Sequence, residues 1–193
     1  MIERKFLPSA VVAAQGLGDR QIKVIASTAT PDRVGDIMKA EGADLANFRR
    51  NPIVLANHDP TKPIGTASCE VKDGRVEALI TFAPAGISEK ADEYCGLTKS
   101  GVLQSVSVGF RPIDAAPRKG GGLTFNKWEL VELSVVSIPA NPEALVVGRS
   151  LNDARARRRA VDVLALASAP HQVDAKREKR LRAVEVLKLA GAP

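Results

Sequence analysis

Through most of the first 150 residues, apolar and polar positions alternate with a period of two, the pattern of strands that bury one face. Residues 21–30, 53–57, 65–71 and 75–82 are short runs rich in Val, Ile and Thr, separated by turn residues, and each is predicted as a strand. Asp73-Gly74 stands between the last two runs, and such a pair specifies a tight hairpin with a type I′ turn. Residues 102–113 form a further alternating strand, followed by Pro117 and the Gly120-Gly121-Gly122 turn. Residues 123–138 then run back with Phe125, Trp128 and Leu130 among their apolar positions, and Pro139 and Pro142 close the run.

Helical spacing is rarer in this part. Residues 88–98 are predicted as a helix: Ser88 caps it, Ile87, Ala91, Tyr94 and Cys95 recur at helical spacing, and Gly101 follows its end. Asn141-Pro142-Glu143 reads as a cap, a first-turn proline and an acid, which predicts a short helix through Val147. After Ser150 the composition shifts to Ala, Leu, Arg and Lys. Two helical segments, 153–168 and 173–189, are separated there by Ala169-Pro170. Val161, Leu164 and Ala165 give the first an apolar stripe, and Leu181, Val184 and Leu187 the second. The fold expected is β-rich α+β: a closed or nearly closed β-barrel with a few flanking helices. Residues 1–150 form the barrel domain of this reading and 151–193 a basic helical tail.

Composition narrows the class. The 193 residues are 45% apolar and 26% charged, a globular rather than a disordered balance. Aromatic residues are only 4%, so the core must be mostly Val, Leu, Ile and Ala. No apolar run approaches the roughly 20 residues of a membrane span, and the first residues do not read as a secretory signal. Cys69 and Cys95 are expected to be ordinary reduced thiols. The net charge of +6 is uneven: 151–193 carries 10 basic and 5 acidic residues, leaving 1–150 at +1. The basic character belongs to the tail.

Several chemistries are excluded. There is no phosphate-binding Gly-Lys-Ser/Thr loop, no CxxC pair and no histidine pair at metal-ligand spacing. With His58 and His171 alone, a multi-histidine metal site is not available, and neither a metal nor a cofactor is expected. His58 lies at the end of an apolar strand, where a solvated histidine is the ordinary reading. Its neighbour Asp59 points to the opposite face of an extended chain and is a poor partner for its imidazole. Ser105 and Ser107 share one strand face, either as small filler on a solvent side or as reactive hydroxyls. Gly109 beyond them allows another backbone, or a substrate, to approach. Glu132 interrupts a long apolar strand, so it faces solvent or pairs inside a cleft. A cysteine nucleophile at Cys95 with His58 is disfavoured, since Cys95 lies on the inner stripe of its helix.

Taken in order, Asn57-His58-Asp59 with Pro63-Ile64-Gly65, Ser107-Val108-Gly109-Phe110, and the run from Glu129 to Ala144 (ELVELSVVSIPANPEA) resemble the tailed-phage prohead maturation proteases. These serine peptidases trim the inside of a procapsid and are distant relatives of the herpesvirus assemblins. The resemblance covers roughly residues 22–147 and implies a herpesvirus-protease-like barrel. It matches the family's histidine at His58 and its serine nucleophile at Ser107. The herpesvirus branch has a histidine as third member; the corresponding strand here offers Glu132, which implies a Ser-His-Glu triad. The arginine-containing loop of the herpesvirus relatives is replaced by Pro139-Ala140-Asn141-Pro142, with no arginine until Arg149. Backbone N–H groups near Asn141 or Gly109, or the Asn141 side chain, are then the oxyanion donors to look for.

The function so implied is a serine endopeptidase that cleaves capsid and scaffold segments, and itself, inside the assembling procapsid in the host cytoplasm. Its expected partners are the major capsid protein with its scaffolding segment, and further copies of itself. Membrane and nucleic acid are not expected partners. The competing readings are a catalytically silent assembly protein with the same barrel, and a nucleic-acid-binding module carried by the basic tail; scarce aromatics and apolar stripes in the tail count against the latter.

Overall fold

A computed structural model describes Val12–Ala13 and residues 16–150 of the chain. The chain separates into two units, Met1–Asp153 and Ala154–Pro193. The described residues lie in the first, and the helical segments expected at 153–168 and 173–189 lie outside them. Among the described residues ten strands carry the fold: β1 (Val12–Ala13), β2 (Gln21–Thr28), β3 (Ile37–Met38), β4 (Ala43–Asp44), β5 (Ile53–Ala56), β6 (Asp59–Lys72), β7 (Arg75–Phe82), β8 (Ser105–Pro117), β9 (Leu123–Val136) and β10 (Val146–Arg149). Two helices, α1 (Ala46–Arg50) and α2 (Glu89–Lys99), and a 3-10 turn at Ala40–Gly42 complete them.

All ten strands belong to one sheet, ordered β1-β10-β2-β7-β6-β5-β9-β3, with β4 and β8 also paired to β9. The β-rich class with few helices is as expected, but the hydrogen-bonded ladder does not close into the expected barrel. The start of β8 meets the segment entering β10 at a single antiparallel bridge, Ser105↔Leu145. Two hydrogen bonds flank it, Val106 N–H to Ala144 O at 3.0 Å and Val146 N–H to Gln104 O at 2.9 Å. Pro139 and Pro142, just upstream, lack the N–H groups that a longer ladder on that side requires.

The hairpin at Asp73-Gly74 forms as read, with φ of +49° and +71°, and pairs β6 with β7 from Lys72↔Arg75 to Gly65↔Phe82. Gly120, Gly121 and Gly122 all take positive φ in the turn between β8 and β9. Ser88 caps α2, its Oγ accepting the Ala91 N–H at 3.2 Å. Ala91, Tyr94, Cys95 and Thr98 form the buried side of α2, whereas Ile87, placed on that stripe by spacing, is 75% exposed. Ile87 precedes the cap, in a turn where its N–H donates to Pro84 O at 3.2 Å, and helical periodicity does not apply there. The short helix expected through Val147 is also absent. Asn141 Oδ1 accepts the Glu143 N–H at 2.9 Å, so the cap chemistry is present, but after one turn the chain extends into β10 and pairs with β2. The β-branched Val146-Val147 gains more from that ladder than from a second helical turn.

The interior is aliphatic, as the composition requires. Ile22, Val24, Val54, Val76, Ile80, Val106, Leu130, Leu133 and Val135 are fully buried, with Trp128 and Phe48 the bulkiest members. Trp128 Nε1 donates to Lys39 O at 2.8 Å, so the indole is buried with its polar atom satisfied. Phe110 meets Phe125 edge to face at 4.9 Å between centroids. Cys69 and Cys95 are buried and unpaired. Burial pushes the Cys69 thiol up to about 12 and raises that of Cys95, which removes both as thiolate nucleophiles at neutral pH.

Candidate active site

β5 ends in a turn that the chain does not adopt for free. Asn57 and His58 have φ of +51° and +60°, a left-handed backbone that costs non-glycine residues on the order of 1–2 kcal/mol each. Two hydrogen bonds to β9 hold it: Asn57 N–H donates to Val135 O at 3.1 Å, and His58 N–H donates to Ser134 Oγ at 3.0 Å. The turn delivers the imidazole to the surface of β9, where Nδ1 lies 2.5 Å from Glu132 Oε1. Glu132's other oxygen, Oε2, accepts the Ser134 hydroxyl at 2.7 Å. The carboxylate side chain is 13% exposed and the imidazole 44%, so the acid is shielded while the ring stays open. Asp59 turns away. Its carboxylate takes Lys62 Nζ at 2.7 Å and the Thr61 hydroxyl at 2.6 Å, which hold it down at about 2.

β8 runs antiparallel beside β9 with Ser105 opposite Val136, Ser107 opposite Ser134 and Gly109 opposite Glu132. Directly opposed residues share a sheet face, so Ser107, Ser134 and Glu132 stand on one side, with Val106 and Leu133 in the core on the other. Gly109 is where Glu132 bends across: a Cβ there would fall 2.3 Å from Glu132 Oε1. The close approach read from the sequence at Gly109 is therefore filled by the carboxylate of this chain.

Three serines occupy this face, all buried, so the solvent-filler reading of Ser105 and Ser107 does not hold. Ser105 Oγ donates to Val136 O at 2.9 Å, and Ser134 is committed to Glu132 and His58. Ser107 Oγ makes no hydrogen bond among the described residues. Ser107 also lines a small cavity of about 40 Å³ together with Ser27, Thr28, Phe110, Ala140 and Asn141, a cavity that His58 and Glu132 do not line. The structure thus joins His58 to Glu132 and sets Ser107 on the same face without a direct Ser107–His58 hydrogen bond. Such contacts are often long before substrate binds. The Asn141 side chain is occupied: Nδ2 donates to Thr28 O at 3.1 Å and Oγ1 at 3.0 Å, which ties the 139–144 turn to β2.

Ser134 is the member of this cluster that sequence reading missed. The signal was there in the Glu132-Leu133-Ser134 spacing, since alternate strand residues share a face. Among the described residues no group of His, Cys, Asp and Glu gathers to hold a metal ion.

A family model described as the caudovirus prohead serine protease matches residues 36–157. The chain is 33% identical over 139 residues to the prohead protease of Escherichia phage T5, covering 68% of this chain and 64% of that protein. It is 34% identical over 133 residues to the capsid polyprotein of Pseudomonas phage PAJU2, covering 66% of this chain and 20% of that protein. The chain therefore spans less than two thirds of the length of either relative. No solved structure matches it. The model match takes in His58, Ser107 and Glu132 alike, and the chain belongs to the caudovirus prohead serine protease family.

Proposed function

We propose that this chain is a serine endopeptidase of capsid maturation in which Ser107 is the nucleophile, His58 the general base and Glu132 the group that orients it. The observation that carries this is the Nδ1–Oε1 contact of 2.5 Å on the same sheet face as a serine whose hydroxyl is uncommitted. With the Nδ1 proton held by Glu132, Nε2 carries the lone pair. Nε2 takes the Ser107 proton as Oγ bonds to the scissile carbonyl carbon, then gives it to the amine as the C–N bond breaks. Water repeats the sequence on the acyl ester, and its proton returns to Ser107 by way of His58. Ala140 and Asn141 line the same cavity as Ser107, and their backbone N–H groups, which donate no hydrogen bond among the described residues, are the oxyanion donors of this reading. Each such donor contributes on the order of 3 kcal/mol to the transition state.

In the same reading, residues 1–150 are the protease domain, a herpesvirus-protease-like barrel whose seam is the Ser105–Leu145 bridge, and 151–193 is a basic tail. The substrates are capsid and scaffold segments, and the chain itself, inside the procapsid of the infected host cell. The names of the two relatives, a prohead protease and a capsid polyprotein, favour these targets. Co-expression with the cognate capsid protein, with and without Ser107→Ala, tests the proposal by the masses of the products. Shortened capsid protein with the parent and intact protein with Ser107→Ala is the expected result. Intact protein in both, with procapsids still assembling, would leave a silent assembly protein.

A further inference from the structure

We infer that Ser134 is a positioning residue of this site, the link that makes the His58–Glu132 pair a rigid unit; the inference rests on the catalytic reading above. Three hydrogen bonds form a closed ring: His58 N–H to Ser134 Oγ at 3.0 Å, Ser134 O–H to Glu132 Oε2 at 2.7 Å, and Glu132 Oε1 with His58 Nδ1 at 2.5 Å. A hydroxyl has one proton to give. Ser134 gives it to the carboxylate, so its oxygen must act as acceptor toward the His58 backbone, and the direction of every bond involving Ser134 is fixed.

The ring ties down both ends of the histidine. One end is a backbone in the left-handed region at φ +60°, held there by Ser134 Oγ. The other is the imidazole, held by a carboxylate whose second oxygen is held by the same Oγ. Ser134 has no exposed surface, so water cannot take over its bonds. It also lies opposite Ser107 in the β8–β9 register, so the residue that fixes the base is the cross-strand neighbour of the nucleophile. Its full burial and committed proton exclude it as a nucleophile. Its effect on chemistry passes through His58.

Ser134→Ala removes the hydroxyl without adding volume, and Ser134→Thr keeps it. The test is labelling of the full chain by diisopropyl fluorophosphate, in which an Oγ–P bond forms, fluoride leaves and the Oγ proton passes to His58. Both the maximal labelling rate and the half-saturating concentration are measured. Ser134→Ala is expected to slow the maximal rate about tenfold or more, the scale on which orienting partners act, with half-saturation within about twofold. Ser134→Thr is expected to restore most of the rate. The proton NMR signal of the His58 Nδ1 hydrogen is expected at low field in the parent and to move upfield in Ser134→Ala. An unchanged labelling rate or an unmoved Nδ1 signal in Ser134→Ala overturns the inference. Labelling of the parent that survives Ser107→Ala overturns the catalytic reading instead, and the NMR comparison still decides the role of Ser134.

Discussion

Gly109 is the residue whose missing side chain the site most depends on. A methyl there would sit 2.3 Å from Glu132 Oε1 and 2.8 Å from its Cγ, and the carboxylate is the flexible partner that must give way. Gly109→Ala is therefore expected to swing Glu132 off His58 at a modest cost in stability, about 1 kcal/mol. On the proposed catalytic reading, activity should fall by at least about 100-fold, because the base His58 loses its orienting partner. Thermal unfolding together with fluorophosphonate labelling reads both effects, and an Ala variant labelled at the parent rate would show that the His58–Glu132 contact is dispensable. The serines give the complementary contrast. Ser105→Ala deletes a buried hydrogen bond to Val136 O, costs about 1 kcal/mol and should leave proteolysis intact, whereas Ser107→Ala should abolish it with little change in stability. Activity lost at Ser105 and kept at Ser107 would put the nucleophile two residues earlier on β8.

Between elements, the β2–β7 pairing carries a charge that should make stability depend on pH. Glu77 on β7 is 3% exposed and faces Lys23 of β2 at 2.7 Å and Arg75 at 2.6 Å. Its hydrogen bond from Lys23 and then those from Arg75 hold its carboxyl below the usual range against the opposing effect of burial. A carboxylate depressed in the folded state stabilises above its unfolded value, and the contribution is lost as pH falls through the folded one. Glu77→Gln is thus expected to cost about 1.5–3 kcal/mol at pH 7 and to converge with the parent on acidification below the ordinary carboxylate range. A gap in Tm of the same size at pH 3 and pH 7 would rule this out. Such pairings mark where sequence reading stops. The 65–82 hairpin and the Ser88 cap were legible because the residues that decide them are neighbours in the chain. β3 and β4 were not, since each is two residues long and exists only through parallel pairing with distant β9. The site divides the same way. Alternation assigns Ser107, Glu132 and Ser134 to strand faces, but the meeting of His58 with Glu132 depends on β5 lying parallel to β9, and no local pattern carries that.

For the molecule as a whole, the uneven charge is the feature that the proposed maturation function most needs explained. Residues 1–150 carry a net +1 and residues 151–193 a net +5, with basic clusters at 155–159 and 176–182 beside the apolar stripes of that stretch. A protease of this kind has to be gathered where its substrate is concentrated and be quiet elsewhere. On the function proposed above, the basic tail is the device for this, by salt-sensitive attraction to acidic capsid or scaffold segments, effective over roughly 10 Å at 0.1 M salt. The segments that the sequence reads as helical there, 153–168 and 173–189, are close to the length at which isolated helices are marginal in water, so burial of their apolar stripes is expected to come with docking on residues 1–150 or on a second copy. Truncation after Ser150 is therefore expected to leave labelling of Ser107 at the parent rate. The truncated chain should enter procapsids less efficiently, and its activity should rise less steeply with protein concentration. Comparing the two chains by sedimentation, by their yield in purified procapsids and by specific activity across a concentration series checks each part. Identical behaviour in all three would assign targeting and activation to residues 1–150 and leave the tail without a role in either.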